Sequence, residues 1–254
     1  MLRRALVATI VVGGARAHAD EPSRQDDRVR TVGTTGRYVH GADHEAGTLD
    51  VWWREPIADR LWAEGAIGVM LGTWRGATTA TLANPVVAIG ARGSARSTVR
   101  LALTLPAASQ RGAPGALAQR LAGDHPNDPS RFAPGASTIA AEFAQTRHGR
   151  LGLVRADLGL AWTFRPGQAS LPLLHADVSG AVAIASGVEL TAGFRSTAYL
   201  LADTPGEDFV HVLTLGVTLE AGPATTALAL EVPVDGAART AGLLMATATI
   251  GLRP

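Results

Sequence analysis

The chain has 254 residues, of which 46% are hydrophobic but only 5% aromatic, and it contains no cysteine. Apolar surface supplied largely by small residues is poor material for a dense globular core, because Ala and Gly bury little area; missing thiols exclude a disulfide framework, thiolate metal sites and a cysteine nucleophile. The 23 basic residues, all Arg, face 22 acidic ones, and so even a balance argues against a nucleic-acid partner.

The first residues read Met1-Leu2-Arg3-Arg4, then an apolar run from Ala5 to Val12, then Ala17-His18-Ala19 before Asp20. A basic start, a short apolar stretch and an A-x-A site are the parts of an export signal, and the run is too short to span a bilayer as a helix. Residues 1–19 are therefore expected to be removed, which takes the basic count from 23 to 20 against 22 acidic residues and leaves a net charge of −2. Residues 20–30 are polar and read as a periplasmic leader. No later stretch holds 18 consecutive apolar residues, so an α-helical membrane protein is excluded on length. The remainder, 31–254, suits one domain.

From Thr31 onward the hydropathy alternates with a period of two, the mark of a strand with two unlike faces. Strands are predicted at Thr31–His40, Thr48–Glu55, Leu61–Thr73, Pro85–Arg92 and Ser97–Leu105. After a long insertion they resume at Leu151–Phe164, Leu173–Ile184, Val188–Ala198, Phe209–Glu220, Thr225–Val234 and Thr240–Leu252. Val99, Leu101 and Leu103 oppose Arg100, Ala102 and Thr104; Leu190, Ala192 and Phe194 oppose Glu189, Thr191, Gly193 and Arg195. Connections such as Arg165-Pro166-Gly167-Gln168 and Gly222-Pro223 predict antiparallel hairpins.

Eleven predicted strands is an odd number, whereas single-chain bacterial barrels have an even one with both termini periplasmic. Ten or twelve are expected: either Thr31–His40 is not a strand or Gly76–Ala83 hides one, and twelve is favoured. The predicted fold is all-β, an antiparallel up-and-down transmembrane β-barrel in an outer membrane, with one long, partly helical extracellular loop. Trp162 and Phe164 close an apolar face, as an interfacial aromatic girdle requires. Trp62 and Trp74 share the parity of Glu64 and are expected to point inward unless a bulge shifts the register.

The insertion, residues 106–149, is punctuated by Pro106, Pro114, Pro126, Pro129 and Pro134. Leu117 and Leu121 lie one helical turn apart, as do Ile139 and Phe143, which predicts short helices at Gly115–Ala122 and Thr138–Gln145. Helices this short need support, so these four residues are expected to be the contacts of a lid docked on the barrel mouth.

Few residues point to chemistry. His40, Asp43, His44 and Glu45 form the densest group of potential ligands, but the flanking strands and Gly41 argue against a zinc helix and for an exposed turn. His148, His175 and His211 are candidate bases without a recognisable nucleophile motif; a G-x-S-x-G elbow is absent. Asp124, Asn127 and Asp128 fail the spacing of a calcium loop. No metal, cofactor or catalytic residue is expected. The wet-face residues Arg100, Arg155, Asp157, Glu189, Arg195, Glu220 and Glu231 are the lumen-facing candidates, and their mixed signs give no basis for ion selectivity.

Asn84-Pro85-Val86-Val87-Ala88-Ile89-Gly90-Ala91-Arg92, followed by Leu101-Ala102-Leu103-Thr104-Leu105-Pro106, resembles the N-P-x-x-x-[LIV]-G-x-R…L-x-L-x-x-P hairpin of transporter-like outer-membrane barrels, distantly similar to the phenol-degradation MetA-like family of Gram-negative bacteria. Arg155-Ala156-Asp157-Leu158-Gly159-Leu160 resembles the strand after their long loop. The resemblance covers the middle third of the chain and implies no catalytic residues. The sequence ends Ile250-Gly251-Leu252-Arg253-Pro254, without the terminal aromatic that barrel-assembly machinery commonly recognises; that machinery and outer-membrane lipid are the expected partners.

The leading expectation is a monomeric passive channel or transporter for small solutes. Its rivals are a structural or binding barrel with a blocked lumen, an outer-membrane lipid hydrolase using His40 or His148 as base, and a soluble periplasmic lipocalin-like carrier. The last would place apolar residues inside and charges outside.

Overall fold

The computed structural model describes residues 30–253 except 41–44, 75–76, 95, 125–128, 151, 168–169, 201–208 and 236–241. The export signal, most of the leader, Asp43, His44, Asn127 and Asp128 lie outside the described residues. The wall strands are β1 (Thr31–His40), β2 (Glu45–Ala58), β3 (Leu61–Trp74), β4 (Ala77–Leu82), β5 (Val86–Ser94), β6 (Ser97–Thr104) and β7 (Ser137–His148). They continue with β8 (Gly152–Phe164), β9 (Leu171–Ala185), β10 (Val188–Tyr199), β11 (Phe209–Ala221), β12 (Ala224–Pro233) and β13 (Leu244–Leu252). One helix, α1 (Gly112–Asp124), and a 3-10 turn at Pro129–Arg131 lie between β6 and β7.

Each strand pairs antiparallel with its neighbours, and β13 returns to β1 from Val32↔Leu252 to His40↔Leu244, which closes the sheet. The wall has twelve positions rather than thirteen, because β4 and β5 share one. Both pair with β3, β4 against Val69–Trp74 and β5 against Leu61–Ala66. The break between them is Ala83-Asn84-Pro85, where proline has no N–H to give the ladder. Gly76–Ala83 does hide a strand and Thr31–His40 is one as well, but β4 adds no wall position; the twelfth is β7, inside the segment read as the insertion.

The helix expected at Thr138–Gln145 is instead the middle of β7, paired to β6 from Ser97↔Gln145 to Thr104↔Thr138 and to β8 on its other side. The misreading has a simple cause: residues four apart share a face in a strand as well as in a helix. The insertion thus spans 105–136, not 106–149.

With the termini taken as periplasmic, the turns at that end are tight: Gly187 and Gly222 adopt φ of 72° and 59°, which hairpins between β9 and β10 and between β11 and β12 require. The longer connections lie at the other, extracellular end. Most outward residues of the wall are apolar and remain in the open, for example Leu101, Val154, Leu190 and Leu215, the last 63% exposed. A continuous apolar exterior fits hydrocarbon and not water, so the soluble carrier with an apolar interior is overturned. Trp162, Phe164 and Phe209 lie at the extracellular end of this face, Phe194 lies mid-strand on β10, and Trp53 marks the periplasmic end. Trp62 points inward and is 3% exposed; the side chain of Trp74 lies outside the described residues.

Candidate solute pathway in the lumen

Two unlike environments divide the lumen. Near the extracellular end the inward positions become apolar: Val39 on β1, Ala46 on β2, Met70 on β3, Val210 and Val212 on β11, and Met245 on β13. The insertion turns in to cover them. Helix α1 is rich in good helix formers and carries Pro114 in its first turn, where a missing N–H does no harm. At 13 residues it is too short to persist alone in water. It buries Leu117, Ala118 and Leu121 against the wall, and the returning chain adds Phe132, Ala133 and Ala136. Full burial of Leu117, Leu121 and Phe132 stabilises this plug by about 1.5–3 kcal/mol each.

A polar latch pins the plug at the strand break. Asn84, fully buried, donates its side-chain amide to the carbonyls of Ser130 and Ala133, both at 2.8 Å. Its side-chain oxygen accepts the backbone N–H groups of Ala107 and Ala108 at 2.8 Å, and its own N–H donates to the Arg131 carbonyl. Arg131, 3% exposed, reaches across to Asp50 on β2 and donates to the carbonyls of Asn84 and Ala66. Asp50 also accepts from Arg37 at 2.8 Å, and the Arg37 guanidinium lies 5.9 Å from the centre of the Phe132 ring. Breaking such a buried pair by removing one partner costs about 3–5 kcal/mol.

From mid-wall toward the periplasmic end the inward positions carry charge, and the two environments meet where Arg195 on β10 stands directly opposite Val212 on β11. Arg100 contacts Glu64 and Glu142, each at 3.2 Å; Arg54 approaches Glu64 at 3.7 Å, and the Trp62 indole donates to Glu64 at 2.7 Å. Asp157 and Asp177 stand directly opposite each other on β8 and β9. Like charges so placed repel, and each is offset by its own arginine: Arg155 lies 2.6 Å from Asp157 and Arg195 2.5 Å from Asp177. Glycines make room for the large inward rings. A Cβ on Gly159 would fall 2.2 Å from the His175 ring, and one on Gly90 would fall 2.1 Å from Trp62. Asp177 Oδ1 is buried without a hydrogen-bond partner.

All seven lumen-facing candidates lie on the inward parity. Arg100, Arg155, Asp157 and Arg195 belong to the ion-pair lining just described. Glu220 faces Arg253 at 3.7 Å near the periplasmic mouth, and Glu189 lies inward nearby. Glu231 is buried and accepts from the Thr247 hydroxyl at 3.5 Å. Of the four residues assigned to a lid, Leu117 and Leu121 lie in the plug, but Ile139 and Phe143 do not. They project outward from β7 and are 56% and 47% exposed, because the period-two pattern places them on the lipid face.

Sequence reasoning missed Asn84, Arg131 and Asp50, whose partners are up to 81 positions apart. The one local signal was an Asn-Pro pair inside an otherwise strand-like run. His40 meets Glu45 at 3.5 Å on the exposed rim, His148 is exposed at the end of β7, and His211 faces outward beside Asp235. Among the described residues no cluster of three His, Asp or Glu could hold a metal ion.

No family model and no curated protein matches this sequence. Solved structures do. An outer membrane channel from Pseudomonas putida F1 is similar with a TM-score of 0.58 and 12% identity, over 91% of this chain and 99% of that one. The NanC porin gives 0.52 and 11%, over 87% and 98%, and LpxR from Salmonella typhimurium gives 0.53 and 10%, over 87% and 99%. At such identities the likeness establishes the shared fold, that of outer-membrane β-barrels.

Proposed function

We propose that this chain is an outer-membrane channel through which small polar solutes pass passively, with the plug narrowing its extracellular half. The observation that carries the reading is the lining: balanced Arg and carboxylate side chains on inward positions of β2, β3 and β6–β10 beneath an apolar exterior. Such a surface accepts hydrated and zwitterionic solutes without a strong preference for either ion sign. The similarity to two proteins described as a channel and a porin, and the resemblance of the Asn84-Pro85 hairpin to MetA-like barrels, support the same function. The lumen needs no catalytic group for this task. Export by the N-terminal segment, insertion by the barrel-assembly machinery and a monomeric state belong to the proposal.

A second reading, a structural barrel with a blocked lumen, is favoured by the complete burial of Leu121 and Phe132 in the plug. Proteoliposome swelling separates the two. A channel admits glycine and small sugars faster than protein-free vesicles do, with rates falling as solute size rises. Swelling no faster than in empty vesicles would favour the blocked barrel.

A further inference from the structure

The outer face carries an arrangement unrelated to the lumen. Ser196 on β10 stands directly opposite His211 on β11 in the strand register. Both belong to the outward parity, Ser196 with Phe194 and His211 with Phe209 and Leu213. Residues so opposed have Cβ atoms about 4.5–5.5 Å apart. Just past the end of β12, Asp235 accepts the His211 backbone N–H at 2.7 Å through one carboxylate oxygen, and its other oxygen meets the ring Nδ1. An aspartate on Nδ1 fixes the orientation of the imidazole and leaves Nε2 to accept a proton.

The ring is flanked by aromatic groups, stacked 5.4 Å from Phe194 and 6.3 Å from Phe209. Both phenylalanines are exposed; Phe209 opens β11 at the extracellular end of the lipid face, the level of the interface between acyl chains and headgroups, and Phe194 lies four residues below, where acyl chains begin. Asp235 lies outside the strands; burial pushes its carboxyl up, but the hydrogen bonds from His211 outweigh this and hold it below the ordinary range. It is therefore ionised, as a partner of an imidazolium must be.

We propose that Ser196, His211 and Asp235 form a serine-hydrolase site on the lipid-facing rim, acting on carboxylic esters of acyl chains in the outer leaflet. Ser196 Oγ attacks the ester carbonyl carbon while His211 Nε2 takes the hydroxyl proton. The bond from that carbon to the alcohol oxygen breaks, and the proton passes to the departing alkoxide. Water, deprotonated by the same nitrogen, then attacks the acyl-serine, releases the carboxylic acid and restores the hydroxyl. Asp235 positions the ring, and Phe194 and Phe209 offer the acyl chain an apolar seat. The Ser196 hydroxyl is not hydrogen-bonded to the ring in this structure; contacts of this kind commonly tighten only with substrate bound. No residue is shared with the plug or the ion-pair lining, so the site stands or falls independently of conduction.

The test uses the full-length protein refolded into vesicles of phosphatidylethanolamine and phosphatidylglycerol. Fatty-acid release is measured, and a long-chain alkyl fluorophosphonate traps any activated serine for peptide mass spectrometry. The label is expected on Ser196 and is lost in Ser196→Ala. His211→Asn lowers fatty-acid release by about 10²–10⁴-fold, the scale of a general base, and Asp235→Asn lowers it less, while both keep the heat-modifiable gel shift of a folded barrel. Labelling of the wild type decides the matter where a variant fails to fold. A folded wild type that takes no label and releases no fatty acid overturns the proposal, as does Ser196→Ala hydrolysing at the wild-type rate. Faster turnover of p-nitrophenyl acetate than of p-nitrophenyl palmitate in the same detergent would overturn the assignment to esters of acyl chains.

Discussion

The two halves of the lumen keep a hollow barrel stable in opposite ways. At the extracellular end the inward residues are apolar, and Val39, Met70 and Val212 are fully buried because the chain's own insertion covers them. From mid-wall to the periplasmic end the inward residues are charged and pair with neighbours, and the side chains of Arg155 and Glu142 stay 28% and 26% exposed. An apolar inner wall requires a cover, since leaving it wet forfeits the burial that stabilises the fold. A charged inner wall requires only partners and water. Where the inward parity of a barrel strand turns from charged to apolar, a plug is to be looked for.

Substitutions can break or sharpen that contrast. The largest effect is expected from Arg131→Leu, which leaves Asp50 and the Asn84 carbonyl without their shared partner. Unfolding free energy should fall by about 3–5 kcal/mol, and protease should cut within residues 105–136 while the wall stays protected. Equal protection of the plug would show that the latch is incidental. Next comes Leu190→Arg, on the lipid face, where a midplane arginine costs about 2–4 kcal/mol; urea titration in lipid should show the loss. Gly159→Ala drives a methyl into His175 and should cost about 1–3 kcal/mol by overpacking, with solute entry altered and the plug undisturbed. The smallest effect belongs to Glu189→Ala at the wet periplasmic mouth, within about 0.5 kcal/mol of wild type. A reversal of the Leu190 and Glu189 results would turn the wall inside out.

Much of the wall was legible because each strand carries its own period of two. Arg155, Asp157 and Arg195 identify their face locally, and the tight turn at Gly222 follows from composition. Residues 137–148 were misread because Ile139 and Phe143 satisfy both periods, and only pairing to β6 and β8 decides between them. The short β4 was hidden by the break at Asn84-Pro85. The latch was beyond local reading altogether: Asp50, Asn84 and Arg131 meet only after the barrel closes, and nothing near Arg131 in sequence marks it as buried. A subtler sign was present in Val39, Met70, Val210 and Val212, apolar residues on the parity that elsewhere carries charge.

Single-channel conductance in planar bilayers tests the division of the lumen most directly, comparing wild type with a variant in which residues 107–135 are replaced by a short Gly-containing turn. The strands remain paired in such a variant, since connections tolerate shortening better than wall elements do. A plugged channel predicts a small wild-type conductance that rises several-fold in the variant, with weak ion selectivity in both. An unchanged conductance in a correctly folded variant would contradict it, placing the constriction among the charged residues rather than at the plug.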